Sequence, residues 1–363
     1  MNDLGMHIRE PWVRVIKRDS LPTWKAMMIR VIAVVAAMLF CSLLSIFLIK
    51  TNPLKFLITS FDGAFGSPRR LWKLAKDGCV LLCISLAVTP AFRMRFWNIG
   101  AEGQTLVGAL AAVGVAYYLG EHLPNGVLLL LMLVAAVVAG GIFGVLPAIF
   151  KAKWNTNETL FTLMMNYVAT GLVAYCLLLW TTNGSTLGAL PYGHLPRLGN
   201  EYLLLILASL ALTALVHVYL TRTKQGYEIS VVGESENTAR YIGIGVSKVI
   251  IRTMLISGAI CGFAGFLIVG ALDHSIATTT VGGLGFTAII ASWLAKFNPI
   301  IMIGTSLFIT FLDQGAAHVS SNIDTSFADL YVGIVLFAII GCEFFIRYQL
   351  KFRKKEKEEG NEA

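Results

Sequence analysis

The stretch Trp97-Asn98-Ile99-Gly100-Ala101-Glu102-Gly103-Gln104 decides how the rest of the chain is interpreted. It lies between apolar runs at 78–92 and 105–119, and neither run comfortably reaches the about 20 residues that a helix needs to cross a bilayer. Three polar side chains therefore stand on a glycine-interrupted backbone near or inside the membrane. Polar groups at that depth usually face a cavity or the bundle interior, and broken backbone is tolerated only where protein or water satisfies it.

Two interpretations of this stretch remain open from the residues alone. It is either a short cytoplasmic turn, with Trp97 as an interfacial anchor and Asn98 as a helix N-cap, or a half-helix that lines a transport path near mid-membrane. In the second case Asn98 and Gln104 are the expected ligand contacts, and Phe96 and Trp97 offer rings for stacking. The predicted substrate-path residues are Phe96, Trp97, Asn98, Glu102, Gln104 and Asn166.

The composition places the chain in the membrane. Of its 363 residues, 56% are hydrophobic and only 14% are charged, and the mean hydropathy is +0.72. A soluble protein carries about a quarter charged residues. The net charge of +8 does not indicate nucleic-acid binding, because the basic residues cluster at helix ends, as the positive-inside rule expects. The fold class expected is an all-α polytopic membrane protein.

Apolar runs predict about ten transmembrane helices, some of them interrupted, with both termini cytoplasmic because basic residues flank the first and last runs. The predicted domains are a cytoplasmic segment 1–30, one transmembrane domain 31–346 and a cytoplasmic tail 347–363. Residues 50–77 are expected to be extracytoplasmic and amphipathic, although their basic residues run against the positive-inside rule. The predicted spans are 31–49, 76–93, 101–119, 126–150, 158–180, 202–220, 250–271, 285–295, 299–312 and 327–346.

Two of these runs, 98–119 and 285–295, are short and interrupted by glycine, and they occupy corresponding places before two further spans. That pattern is typical of internal repeats around a central site. The fifth span is expected to be capped by Asn155 or Thr156, with Glu158 at the positive end of its dipole. The ninth is expected to end at Asp313-Gln314-Gly315.

A polar segment at 221–249 is expected on the cytoplasmic side. Within it, Glu234 to Ile242 predicts a short amphipathic helix, capped by Ser235 and stopped by Gly243, that exposes Tyr241 and Ile242. The segment is either a solvated connector or a docking helix for a cytoplasmic partner. The residues predicted to couple to that partner are Gly233, Glu234, Ser235, Ala239, Arg240, Tyr241 and Gly243.

No metal site or enzymatic site is expected from the sequence, and no cofactor. Cys79 and Cys83 are spaced four residues apart, but no histidine or acid cluster accompanies them, so all six cysteines are interpreted as small packing residues. The histidines considered are scattered over loops and helix ends without a nucleophile–base set. The chain also lacks a Gly-Lys pair, and hence a phosphate-binding loop of the kind that ATPases use.

The motifs resemble one family in order along the chain. Residues 97–104 resemble the Asn-Ile-Gly-Ala-Glu-Gly-Gln signature of bacterial ABC-importer permeases for nucleosides and simple sugars, within the branched-chain amino acid and ribose permease family. Asn157-Glu158 with Asn166-Tyr167, and Gly233 with 239–244, are similar to later motifs of that family, as are 285–291 and Asn298-Pro299. The sequence departs from the usual residues of these family motifs at Ser235, Glu236, Thr238, Thr287 and Lys296.

The resemblance implies a permease subunit in the bacterial inner membrane, with ATP hydrolysis in a separate subunit. The implied partners are two cytoplasmic ATPase subunits, a second permease that is the same chain or a paralogue, and an extracytoplasmic substrate-binding protein. The 225–248 segment then becomes the coupling loop. An uncharged nucleoside would suit the aromatic and amide side chains at 96–104, since a stacked base contributes about 1–3 kcal/mol.

An ion-coupled secondary transporter of a small polar solute is the alternative function. It would need working acids inside the membrane, and Glu102, Asp273 and Asp313 are available, each at a segment end where it can be a solvated cap. That scheme leaves the 225–248 loop without a role. A membrane scaffold or a membrane enzyme is a further class, but the residues provide no catalytic set for it.

Overall fold

The computed structural model describes residues 13–18, 22–48, 50, 52–181, 186–197, 199–200, 202–320 and 326–352. Arg9 and the basic residues 353–357, which contributed to the predicted orientation of the termini, lie outside these ranges. The elements are β1 (Val13–Lys17), α1 (Thr23–Leu48), α2 (Pro53–Phe65), α3 (Pro68–Arg93), α4 (Ala101–Leu119), α5 (Asn125–Trp154), α6 (Glu158–Trp180), α7 (Leu203–Arg222), α8 (Lys224–Glu234), α9 (Glu236–Tyr241), α10 (Val246–Leu267), a π-helical turn (Ile268–Asp273), α11 (Leu284–Leu294), α12 (Pro299–Ser320), α13 (Ser326–Arg347) and β2 (Tyr348–Phe352).

The all-α polytopic class is confirmed. Within the described residues, eight helices are long and apolar enough to cross a membrane: α1, α3, α5, α6, α7, α10 with its π turn, α12 and α13. The two remaining predicted spans are the 19-residue α4, whose first turn holds Glu102 and Gln104, and the 11-residue α11. These are the two segments that the sequence marked as short and interrupted, and with them the number of apolar helices is about ten.

The chain packs as two compact units, one drawn from Met1–Phe61 with Ala316–Ala363 and the other from Asp62–Gly315. In the first unit, α1 packs against α13, and Arg30 forms an ion pair with Glu343 at 2.8 Å. Strands β1 and β2 pair antiparallel in the same unit, so the segments that flank the first and last long helices lie side by side. The predicted domain bounds remain a prediction.

The second unit is organised around α10, which packs against α5, α4 and α3. Glycines let these helices approach one another closely. A Cβ atom on Gly262 of α10 would lie 2.1 Å from the Ala136 carbonyl oxygen of α5, and one on Gly258 would lie 2.3 Å from the Gly140 carbonyl oxygen. Small residues at such spacing are typical of helix pairs in membranes, where close backbone approach replaces the hydrophobic driving force.

Helices α3 and α11 end in the same kind of turn. Phe96 N donates to Ala91 O at 2.9 Å, and Phe297 N donates to Ser292 O at 2.9 Å. A basic residue in the left-handed region precedes each phenylalanine, Arg95 with φ 60° and Lys296 with φ 52°. This likeness supports two related halves. The likeness relates α11 to α3. The sequence pattern instead matched 285–295, which contains most of α11, with 98–119, which contains α4.

Several predicted boundaries are wrong for local reasons. Helix α3 begins at Pro68 rather than near 76, because the Ser67 hydroxyl caps it by accepting from Arg70 N. Asn157, not Asn155 or Thr156, caps α6 by accepting from Leu160 N, while Asn155 ends α5 in the left-handed region.

Helix α12 also differs from its prediction, since it continues through 313–315 to Ser320. Within it, Gln314 is buried and donates to the Asp77 carboxylate at 3.1 Å. Helix α1 begins at Thr23, well before the predicted start at 31.

Candidate functional site

Asn98 and Gln104 form a buried amide pair at the start of α4. Asn98 Nδ2 donates to Gln104 Oε1 at 3.2 Å, and Gln104 Nε2 donates back to Asn98 Oδ1 at 3.1 Å. Asn98 Nδ2 also donates to Ser257 Oγ of α10 at 3.2 Å, and Gly100 N donates to Asn98 Oδ1. Both amide side chains are at most 1% exposed. The pair therefore fixes the broken backbone before α4 against α10.

The two amides were predicted as ligand contacts, and that assignment remains a prediction beside the structural role that their burial gives them. The alternative in which Asn98 caps α4 is not what the geometry shows. The N-cap of α4 is Gly100, without a side-chain cap bond.

We expect Asn98→Ala to lower thermal stability and uptake together, because it leaves the Gln104 amide and Gly100 N without their partner. An unsatisfied buried polar group costs about 1–3 kcal/mol. Thermal unfolding and uptake would be measured for Asn98→Ala, Gln104→Ala and the double variant at matched expression. Since one pair is broken in each case, the double variant should lose less stability than the sum of the singles. Loss of uptake in a variant that melts like the parent would instead place the amide on the substrate path.

Helix α6 holds the same stretch from the other side. Asn166 Oδ1 accepts from Gly103 N at 2.9 Å, and Asn166 Nδ2 donates to Ile99 O at 3.0 Å. Thr162 Oγ1 accepts from Ile99 N at 3.2 Å. A Cβ on Gly103 would lie 2.9 Å from Asn166 Oδ1, so glycine at this position permits the close contact between α4 and α6. Asn166, which was predicted as a substrate-path residue, forms hydrogen bonds with the backbone of the signature stretch.

Glu102 joins α4 to the start of α11. Its Oε1 accepts from Gly283 N at 2.8 Å and its Oε2 from Gly285 N at 2.7 Å. Gly283 is the N-cap of α11, with φ 83°, so the carboxylate faces the positive end of that helix. A Cβ on Gly285 would lie 2.4 Å from Glu102 N, which shows how closely the two backbones approach. The two interrupted segments are thus joined directly by a charged side chain.

An aromatic group lies beside this junction. Trp97 meets Trp293 of α11 at a centroid distance of 5.5 Å and Phe92 at 5.6 Å, and Phe92 stacks on Phe297 at 6.1 Å. Trp97 and Trp293 are 42% and 47% exposed, whereas Phe96 is only 3% exposed. Of the two predicted stacking side chains, Trp97 is the one that presents its ring at the surface of the chain, and Phe96 is a core residue here.

The predicted coupling segment forms two helices rather than one, because α8 ends at Glu234 and Ser235 is the N-cap of α9. Ser235 Oγ accepts from Thr238 N at 3.2 Å, and Gly243, with φ 84°, terminates the segment. Tyr241 is 92% exposed and Ile242 is 52% exposed, as expected from the sequence. The charged side chains of Glu236 and Arg240, 3.5 Å apart, are exposed as well.

This segment rests on the end of α3. A Cβ on Gly233 would lie 2.1 Å from the Arg93 carbonyl oxygen, so only glycine fits against that helix end. Ala239 is fully buried, and Glu228 of α8 forms an ion pair with Arg252 of α10 at 2.8 Å. The exposed helix α9 is therefore connected, through α8 and the end of α3, to the turn that precedes Asn98.

Sequence reasoning missed the partners of the signature stretch. Ser257, Thr162, Gly283 and Trp293 come from α10, α6, the approach to α11 and α11 itself, all far away along the chain. The sequence contains one signal of a relation between these regions. Lys296-Phe297-Asn298 resembles Arg95-Phe96-Trp97-Asn98, since in both a basic residue is followed by phenylalanine and then asparagine.

Comparison with known proteins gives related sequences over most of the chain. The glucose ABC transporter permease protein TsgB13 of Haloferax volcanii is 28% identical, over 92% of this chain and 92% of its own length. The guanosine ABC transporter permease protein NupP of Bacillus subtilis is 28% identical, over 81% and 88%. The nucleoside ABC transporter permease protein NupB of Lactococcus lactis is 24% identical, over 82% and 86%.

A family model described as "Branched-chain amino acid transport system / permease component" matches residues 71–340. The match confirms the resemblance inferred from 97–104, and with it the permease function rather than the ion-coupled alternative. A permease component is a membrane-spanning subunit and not the enzyme that hydrolyses ATP. Because the match covers well over half of the sequence, this multi-pass membrane protein belongs to the family of branched-chain amino acid transport system permease components.

Proposed function

We propose that this chain is the permease subunit of an ATP-driven importer that moves a nucleoside or a simple sugar across the bacterial inner membrane. The observation that carries the proposal is α9, a capped, exposed helix that follows α8, whose Gly233 packs on the end of α3 that leads into the signature stretch. A movement imposed on α9 by a partner would reach 97–104 through few intervening contacts. The substrate class is supported by the names of the related permeases, which refer to glucose, guanosine and nucleosides.

The proposed partners are two cytoplasmic ATPase subunits, a second permease that is this chain or a paralogue, and an extracytoplasmic substrate-binding protein. Both termini are proposed to be cytoplasmic. Pairing of β1 with β2 supports a common side for the two terminal segments, since strands that share a ladder lie in the same compartment. The basic residues near both ends favour the cytoplasm for that side.

The substrate path is proposed to pass the junction of α4 with α11. Trp97 and Trp293 present half-exposed rings there, and an aromatic base gains about 1–3 kcal/mol by stacking on such a ring. Trp97 immediately precedes the first interrupted segment and Trp293 lies in the second, so a relative movement of α4 and α11 would open or close the space between the two rings.

The test of the function is uptake of labelled nucleosides and pentoses by membranes that hold the full complex, with and without ATP. We expect ATP-dependent accumulation of at least one of these compounds. Accumulation that follows an ion gradient and ignores ATP would refute the proposal.

Tyr241→Ala is expected to uncouple ATP hydrolysis from uptake. The side chain is 92% exposed, so its loss should leave the fold intact, while an anchor at a protein interface commonly contributes about 2 kcal/mol or more. We expect uptake to fall more than about tenfold, since 1.4 kcal/mol corresponds to a factor of ten. Tyr175→Ala on α6, which removes a 62% exposed tyrosine, is the matched control and should behave as the parent. Normal uptake by Tyr241→Ala would favour the solvated connector.

A further inference from the structure

A basic cavity of about 480 Å³ lies where α3 begins, beside the segment that leads into α7. Its basic residues belong to the segment 50–77, where positive charge is contrary to the positive-inside rule. The permease function assigns no role to these residues. Four cations and two aromatic rings line it: Arg69, Arg70, Lys73, Lys76, Trp72 and Tyr202.

Two of the four cations have partners within the protein. Arg70 forms an ion pair with Asp62 at 2.6 Å. Lys76 lies 3.6 Å from the Asp77 carboxylate and 5.6 Å from the centre of the Tyr202 ring. These contacts fix the walls of the cavity and leave its charge incompletely balanced.

Arg69 and Lys73 are the cations without an ion pair among the described residues. Both are exposed and stand four positions apart, which places them on the same face of α3. Like charges at that spacing destabilise a helix, and cations near a helix N-terminus oppose its dipole. A bound anion would relieve both effects. The position of Arg69 and Lys73 on one face near the start of α3 therefore favours binding of a negatively charged ligand over exposure of both side chains to solvent.

The position of the cavity indicates which anion is available. Helix α3 has 26 residues, so it is about 39 Å long, against a hydrocarbon core of about 30 Å. Its buried apolar stretch begins at Gly78, which leaves the charged first turns at the level of the lipid headgroups. Trp72 and Tyr202 are residue types that concentrate at that level.

We propose that this cavity binds the phosphate group of an anionic phospholipid. It lies between two membrane-spanning helices, α3 and α7, which pack together, and it brings basic and aromatic side chains to the headgroup region. Arg69 and Lys73 supply the charge, and Trp72 and Tyr202 border the site. The proposal does not rest on the transported substrate or on ATP coupling, so its test is independent of the test of the proposed function.

The experiment measures thermal unfolding of the purified full chain in detergent while phosphatidylglycerol, phosphatidylcholine or inorganic phosphate is added. The variant is Arg69→Gln with Lys73→Gln. The matched control, Arg222→Gln with Lys224→Gln, removes the same charge from exposed positions at the opposite end of α7 and the start of α8. Binding of phosphatidylglycerol by the parent and both variants would be quantified by native mass spectrometry.

Phosphatidylglycerol should stabilise the parent and the control, and phosphatidylcholine should not. At about 1 kcal/mol for each basic residue, the cavity variant should bind phosphatidylglycerol about 30-fold more weakly. Equal binding by parent and cavity variant would overturn the proposal. Stabilisation by inorganic phosphate equal to that by phosphatidylglycerol would overturn it as well.

Discussion

Gly262→Leu is expected to prevent the helices of the larger unit from assembling. Gly262 and Gly258 on α10 face Gly140 and Gly144 on α5, and each pair is separated by three residues in its own helix. The Cβ position of Gly262 lies 2.1 Å from the carbonyl oxygen of Ala136, which is a backbone atom. A flexible side chain could move aside, but a backbone cannot do so without displacing all of α5.

Overpacking a well-packed core typically costs about 1–3 kcal/mol, and this site should reach or exceed the upper value because the obstacle is rigid. Helices α4 and α5 both pack on α10, so a displaced α5 would also disturb the amide pair through Ser257. The measurement is the fraction of monodisperse protein recovered in detergent, together with its unfolding temperature.

Gly171→Leu on α6 is the matched control for this substitution. Gly171 is exposed, and a Cβ there would meet nothing within 4 Å, so the same change in size and hydrophobicity should be tolerated. Recovery of Gly262→Leu at the level of Gly171→Leu, with a similar unfolding temperature, would contradict the proposed close packing of α10 on α5.

The helices were largely predictable because each depends on a local pattern. The predicted 101–119 and 158–180 agree with α4 and α6. The helix at the coupling loop was also predicted, since Ser235 and Gly243 are start and stop signals that act within a few residues. The error at the end of α12 occurred because a distant contact overrode the local signal. Gln314 suggested the end of a helix, but it is buried against Asp77, which lies 237 positions away.

The candidate site was predictable in location but not in geometry. Polar residues on a glycine-interrupted stretch singled out 97–104, and in the structure this stretch contacts α6, α10 and the start of α11. Its place on the substrate path remains a prediction. The local sequence contains no information on which side chains they meet, because the contacts of Asn98 with Ser257 and of Glu102 with Gly283 span 159 and 181 positions. Burial of Asn98 and Gln104 follows from those contacts, and so it could not be inferred from their polarity.

Replacing Glu102 with alanine is expected to give the second large effect. The substitution removes both acceptors at the start of α11 and leaves Gly283 N and Gly285 N without this partner. A hydrogen bond to a charged group contributes about 1.5–3 kcal/mol, so the loss of both bonds should destabilise the junction by several kcal/mol and reduce uptake more than about tenfold. Thermal unfolding and ATP-driven uptake would be measured at matched expression.

Glu102→Gln distinguishes a positional role from a proton-transfer role. Glutamine keeps the shape but places an amide NH₂ against one backbone N–H, so the junction should lose about one charge-assisted bond and the variant should be intermediate between parent and Glu102→Ala. Glu121→Gln, at an exposed acid just beyond α4, is the control and should match the parent. A working acid of the ion-coupled kind would instead give a variant of normal stability whose uptake no longer depends on pH.

Gly285→Ala gives an independent test, because it leaves the carboxylate unchanged. A Cβ at Gly285 would lie 2.4 Å from Glu102 N, so α11 would be forced away from the start of α4 and both hydrogen bonds would lengthen. We expect the same loss of stability and uptake as in Glu102→Ala, and little further loss when the two changes are combined, since residues that share one contact are not additive. Additive losses, or normal uptake in Gly285→Ala, would show that α4 and α11 work independently and that the carboxylate serves another purpose.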